Sequence, residues 1–187
     1  MTARLLSVNL AVAKVFRLRS REVPTGIFKE PAAGRVALTR LTLEGDIQAD
    51  KRVHGGPEQA VYVYPSEHYP HFRRLLGRPD LSAGFFGENF TTGGLFEDAV
   101  RVGDVFRVGS ALVQVTRPRG PCFKMGLKAG SAAFVRTLLE SRRLGFYLRV
   151  LEEGEVGAGD AITPVSSDPD APTIAEDIER RFLARVG

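Results

Sequence analysis

The dipeptide Gly-Asp occurs three times in this chain, at Gly45-Asp46, Gly103-Asp104 and Gly159-Asp160, and each copy borders β-type sequence. Glycine followed by aspartate is a turn signal. A chain punctuated in this way is built from short strands. Leu5-Leu6-Ser7-Val8 and Ala11-Val12-Ala13 read as the first strand material, and Thr25 to Pro31 as a short extended piece ended by proline. Arg35 to Leu43 reads as a strand whose alternation slips between Leu38 and Leu41, the mark of a bulge or bend. Ala60 to Tyr64, Val100 to Val102, Val105 to Val108, Ala111 to Thr116 and Phe146 to Leu151 read as further strand material, and Gly84 to Thr92 as a glycine-rich turn feeding a strand. Helices are expected from Ser66 to about Leu76, from a Ser131 cap to about Ser141, and from a Thr173 cap over Ile174 to Arg185. The turn spacing is too uneven for a sequence repeat. The expected fold is mainly β with α: a mixed or antiparallel β-barrel with peripheral helices and a short C-terminal helix. The expected domains are a barrel over 1–163 and a linker with a helix over 164–187.

The chain has 187 residues, enough to bury a core without staples. It holds one cysteine, which rules out an internal disulfide and fits a reducing, cytoplasmic compartment. No apolar run approaches the ~20 residues that cross a bilayer, so no membrane partner is expected. Arg4, Lys14, Arg17, Arg19 and Arg21 stand in an acid-free start that suggests a transit peptide, yet the apolar residues among them read as strand. The net charge of +4 hints at an anionic partner. The cations lie in short clusters, which suit a small anion at least as well as a nucleic acid, and aromatic patterning of the RNP kind is lacking.

The lone cysteine lies in Arg117-Pro118-Arg119-Gly120-Pro121-Cys122-Phe123-Lys124. Pro118 ends the preceding strand, because proline cannot donate to a ladder. Arg117, Arg119 and Lys124 surround the sulfur with three cations, which favour a thiolate, the form that attacks or ligates. A buried structural cysteine is the plainer reading; the flanking cations and prolines point to a reactive or ligating sulfur. His54-Gly55-Gly56 can turn backbone N–H groups toward an anion beside a titratable ring, and taken alone reads as a plain turn. Gly87-Glu88-Asn89 can place an amide and a carboxylate beside a ligand. His54, His68, His71 and Cys122 lack the partner spacings of a zinc site, and His68 and His71 are expected on a solvated helix face. No Walker pattern, dinucleotide fingerprint or G-x-S-x-G elbow is present.

Taken in order, nine pieces of the chain resemble the MOSC domain family, named for the C-terminal domain of molybdenum cofactor sulfurases, and within it the YiiM-like branch. They are Thr25 to Pro31, Glu44 to Asp50, Val53 to Gly56, Ala60 to Tyr64, Glu67 to Tyr69, Gly87 to Asn89, Val102 to Asp104, Pro118 to Lys124 and Gly145 to Val150. The resemblance implies a MOSC-type barrel and a pterin-based molybdenum cofactor with the Cys122 thiolate as metal ligand. It offers the cofactor phosphate as the reason for Lys29, Arg52, Arg117, Arg119, Lys124 and the His54-Gly55-Gly56 turn. It implies a reductase of N-hydroxylated compounds such as hydroxylamino purines or amidoximes, fed by a separate redox protein, in a monomer or homodimer. His54, Asp50 and Asn89 are then candidate proton donors or orienting groups. The alternative is a carrier that holds the cofactor or a persulfide without turnover. YiiM-like proteins often end in three helices; here the residues after the linker suffice for one. Ala11 to Arg21 matches the branch poorly.

Overall fold

The computed structural model describes residues 2–11, 14–18, 21–47 and 55–184. Its first strands are β1 (Arg4–Ala11), β2 (Lys14–Leu18), β3 (Arg21–Thr25), β4 (Lys29–Pro31) and β5 (Val36–Leu38). β6 (Val61–Pro65), helix α1 (Tyr69–Leu76), β7 (Phe90–Gly93), β8 (Val105–Val108) and β9 (Ala111–Pro118) follow. Then come α2 (Phe123–Ala129), α3 (Phe134–Glu140), β10 (Phe146–Glu152), β11 (Gly154–Val156), β12 (Ile162–Ser166) and α4 (Ile174–Ile178). Eight strands make one mixed sheet in the order β12-β8-β9-β10-β6-β7-β1-β4. β6 and β7 pair in parallel, and the other neighbours in that sheet are antiparallel. β2 pairs with β3, and β5 with β11, as separate two-stranded sheets.

Local sequence explains the main elements. β9 alternates: Ala111, Val113 and Val115 are buried, and Leu112, Gln114 and Thr116 only partly so. β6 is buried at every position, as befits an apolar run at the centre of a sheet. Tyr64 stacks on Phe86 at 4.0 Å, and Phe72 of α1 meets both Phe86 and Phe134 of α3 edge-on. These rings fill the space between the sheet and its helices.

A closed barrel is not found. β12 and β4 end the ladder order. Where a ring would close, the contact is a single bridge, Arg4 to Ala161, with Leu5 N–H bonded to Asp160 O and Ile162 N–H to Ala3 O, both 2.9 Å. Beyond Ile162 the strand is exposed and contains Pro164, which has no N–H to extend a ladder.

Three other expectations change. Arg35 to Leu43 is not one strand: β5 stops at Leu38, and Thr39 accepts and donates within a tight turn to Thr42 before a bridge at Leu43. α3 starts at Phe134 with no side-chain cap, Ser131 lending only its carbonyl to Phe134 N–H. His68 is not on a solvated face. Its Nε2 lies 2.8 Å from Glu97 Oε2, and its side chain is 11% exposed. Among the described residues no helix is long and apolar enough to cross a membrane.

Candidate functional site

The cysteine segment bridges two elements. β9 delivers the chain to Pro118, paired with Phe146 of β10, and α2 begins immediately after Cys122. Cys122 itself is extended, with φ −127° and ψ 134°, and its carbonyl accepts from Met125 N–H at 2.9 Å. Between them, Arg119 N–H is held by Gly145 O at 3.1 Å. Position 145 admits only glycine. Its φ is +66°, and a Cβ there would sit 2.2 Å from Val63 O. The loop therefore lies directly on the end of β10.

A cleft opens beside this loop. Cys122, Arg119, Lys124, Tyr147, Tyr62, Gly55, Lys29, Asp46 and Asn89 are among the residues that line it. By their contacts we group them into two walls: Lys29, Asp46 and Asn89 bonded to one another, and Arg119 with Cys122, Tyr147 and, two residues on from Cys122, Lys124. Cys122 is 8% exposed, and what it shows faces this cleft rather than an apolar interior. Arg119 is buried, with its guanidinium carbon 4.5 Å from the centroid of the Tyr62 ring. Burial works against that charge, yet the Tyr62 and Tyr147 hydroxyl groups and the Cys122 sulfur around it hold the Arg119 pKa above its ordinary value. Burial also pushes the Tyr62 phenol well above the usual tyrosine range.

The wall of Lys29, Asp46 and Asn89 is a closed polar knot. Lys29 Nζ donates to both Asp46 oxygens, at 2.6 and 2.7 Å. Asp46 also accepts from Ala11 N–H at 2.7 Å and from Asn89 Nδ2 at 2.8 Å. Asn89 Oδ1 accepts from Tyr62 N–H at 3.1 Å, which fixes the amide's orientation. Burial pushes Lys29 below its ordinary value against the pull of Asp46. For Asp46, burial pushes upward, but the Lys29 ammonium, Ala11 N–H and Asn89 amide outweigh it and hold the carboxyl below its ordinary value.

Of the residues singled out in the sequence, Cys122, Arg119, Lys124, Lys29, Asn89 and Gly55 meet at this one cleft. Gly56 adjoins it and opens a 3-10 turn, both glycines having positive φ. Arg117 lies on β9 opposite Tyr147 and does not line the cleft. Asp50, Arg52 and His54 lie outside the described residues. Glu88 and Asn89 separate: Asn89 reaches the cleft, while Glu88 is wholly buried and accepts from Tyr69 Oη, Thr91 Oγ1 and Gly84 N–H. Burial, resisted by those donors, raises the Glu88 carboxyl above its ordinary value. Asp46, Tyr62 and Tyr147 were missed. Each has a local role that explains it, a turn residue and two strand residues; the signal available was a hydroxyl recurring in otherwise apolar strands.

Comparison with known proteins agrees with this geometry. The model of the MOSC domain matches residues 50–163. YflK of Bacillus subtilis strain 168 is 48% identical over 154 residues, covering 82% of this chain and 69% of its own length. A protein named reductase from Gibberella moniliformis is 33% identical over 145 residues, 76% of this chain, but only 26% of that protein is covered. The crystal structure of YiiM from Geobacillus stearothermophilus superposes with a TM-score of 0.81 at 34% identity, covering 99% of this chain and 86% of that one. With its cysteine loop, its cleft and these likenesses in agreement, this chain belongs to the MOSC domain family and is YiiM-like.

Proposed function

We propose that this chain binds a pterin-based molybdenum cofactor in the cleft, with Cys122 as the protein's ligand to the metal, and reduces N-hydroxylated compounds such as hydroxylamino purines or amidoximes. One observation carries the reading: the chain's single cysteine faces a cleft beside Arg119 and Lys124, which no carboxylate among the described residues neutralises. Among the described residues Arg119 is surrounded by phenols and sulfur, and Lys124 forms no ion pair. The donor set supports the same conclusion. Among the described residues no group of three or more His, Cys, Asp or Glu could hold a metal ion. A bare zinc ion needs three or four such ligands. A metal that arrives with its own sulfur chelator needs one soft protein ligand, and a thiolate supplies it. When bound, such a cofactor contributes a metal that changes oxidation state by two and accepts oxygen.

The chain's own residues have separate tasks in this reading. Arg119 and Lys124 attract the cofactor's phosphate, with the Gly55-Gly56 turn offering backbone N–H groups. Tyr62 and Tyr147 give an apolar floor with hydroxyl edges. Asn89, fixed at both ends, orients what enters rather than giving up a proton. Proton delivery falls to His54 or Asp50. The likeness to a protein named reductase supports reduction as the reaction class; in this reading the electrons come from a separate redox protein. We further take the sheet to act as a barrel, completed by the Arg4–Ala161 bridge, with residues 164–187 as an appendage.

The test is a metal and pterin assay on protein purified from a host that makes the cofactor. Equimolar molybdenum is expected in the native chain and none in Cys122→Ala, together with loss of hydroxylaminopurine reduction. Native protein without molybdenum, or a Cys122→Ala variant that still reduces the substrate, overturns the proposal. A sulfur adduct on Cys122 with no reductase activity would point to a carrier instead.

A further inference from the structure

The C-terminal segment reaches the cysteine loop at Gly120, which does not line the cleft. Thr173 caps α4 through a reciprocal pair: Thr173 Oγ1 accepts from Glu176 N–H, and Glu176 Oε2 accepts from Thr173 N–H. Ile174 and Ile178 then sink fully into the core. The next turn, Glu179–Leu183, is wider than an α-helix, with Ala184 N–H bonded to Glu179 O at 2.9 Å. Such turns are rare and recur at functional sites.

Three attachments converge from it. The Phe182 ring lies over Gly120, two residues before Cys122. A Cβ at position 120 would stand 3.4 Å from Phe182 Cζ and 3.5 Å from Cε1. Glu179 pairs with Arg142, which holds a left-handed φ of +59° in the turn before β10. Ala175 N–H bonds Glu97 O at 2.8 Å, while Glu97 Oε1 accepts from Gly145 N–H at 2.9 Å. Gly145 O is the group that receives Arg119 N–H. The segment thus grips the cysteine loop directly at Gly120 and indirectly through the backbone that anchors Arg119.

We propose that residues 174–182 brace the cysteine loop and that Phe182 is a positioning residue for the Cys122 sulfur. This builds on the reading of Cys122 as a working sulfur. Phe182 touches no substrate. It limits how far Gly120 can lift, and so how far the sulfur can swing from the cleft wall. Removing the ring frees the loop while leaving Ile174 and Ile178 in place.

The experiment measures alkylation of Cys122 by iodoacetamide in the native full chain, made in a host unable to synthesise molybdopterin. Phe182→Ala is expected to speed alkylation on the order of tenfold, since local opening exposes the thiol. Phe182→Leu, which refills the space over Gly120, should return the rate to within about twofold of the native chain. Leu183→Ala is the control: it trims a neighbouring side chain packed on the same core and should leave the rate unchanged. A native rate in Phe182→Ala, or an equal acceleration in Leu183→Ala, overturns the brace. Should Phe182→Ala fail to fold, Phe182→Val takes its place with the same expectations. Because no metal is involved, failure here leaves the molybdenum assay untouched, and absence of molybdenum leaves this result standing.

Discussion

The two walls of the cleft handle buried charge in opposite ways. On one, Lys29 and Asp46 neutralise each other at 2.6 Å, with side chains only 7% and 3% exposed. On the other, the buried Arg119 guanidinium lies on the Tyr62 ring, with Tyr147 and Cys122 as its other neighbours and no carboxylate paired with it among the described residues. A charge already matched by a carboxylate has little attraction left for a ligand. A charge held by aromatic faces and a sulfur keeps most of its field. In the proposed reading the first wall is a scaffold and the second is where the cofactor's phosphate is drawn. Lys29, which the resemblance offers as a phosphate partner, lines the cleft already paired with Asp46, and we propose it as part of the scaffold.

The sharpest way to break this comparison is to unpair the scaffold. Lys29→Met leaves the Asp46 carboxylate buried without its cation and should cost about 3–5 kcal/mol in chemical denaturation. Adding Asp46→Asn removes the orphaned charge and should recover much of that loss. If Lys29→Met is as stable as the native chain, the pair is not the scaffold described here, and Lys29 returns as a ligand cation.

A smaller stability effect is expected on the other wall. Arg119→Met gives up a cation–π contact worth about 1–2 kcal/mol where desolvated. Its effect on binding should be larger than its effect on stability: at least a tenfold loss in cofactor retained through purification, roughly 1.4 kcal/mol or more. Lys29→Met should show the reverse ratio. Equal ratios in the two variants would erase the distinction between the walls.

How much of this was legible depended on whether the cause was local. β9 could be read from its alternation and α4 from Thr173 and its isoleucine spacing, since both patterns lie within one element. The cysteine loop was legible from its cations and prolines. α2 was not: Phe123–Ala129 is seven residues with a glycine at its centre and has no clear apolar stripe. Asp46 was read as a turn residue because its partners Lys29, Ala11 and Asn89 are 17, 35 and 43 residues away. The gap in the sheet was equally hidden, because it depends on where Pro164 falls relative to a neighbour nearly the whole chain away. Pairings of that range leave no mark in local sequence.

The mildest test uses acid. The Asp46 carboxyl is held below its ordinary value of 3.8, so it stays ionised in the folded chain where the unfolded chain is already protonated. Its contribution is therefore complete above about pH 4 and is lost as pH falls through the depressed folded value. Glu88 slopes the other way: its carboxyl is raised by burial, so acidification removes a cost rather than a gain. The native acid limb mixes the two. Comparing it with Asp46→Asn isolates the first, because Glu88 is common to both chains. Stability of the native chain should fall more steeply than that of Asp46→Asn below pH 4 in urea titrations at stepped pH. Parallel curves would mean that Asp46 gains nothing from Lys29, and the wall described as a scaffold would lose its electrostatic basis.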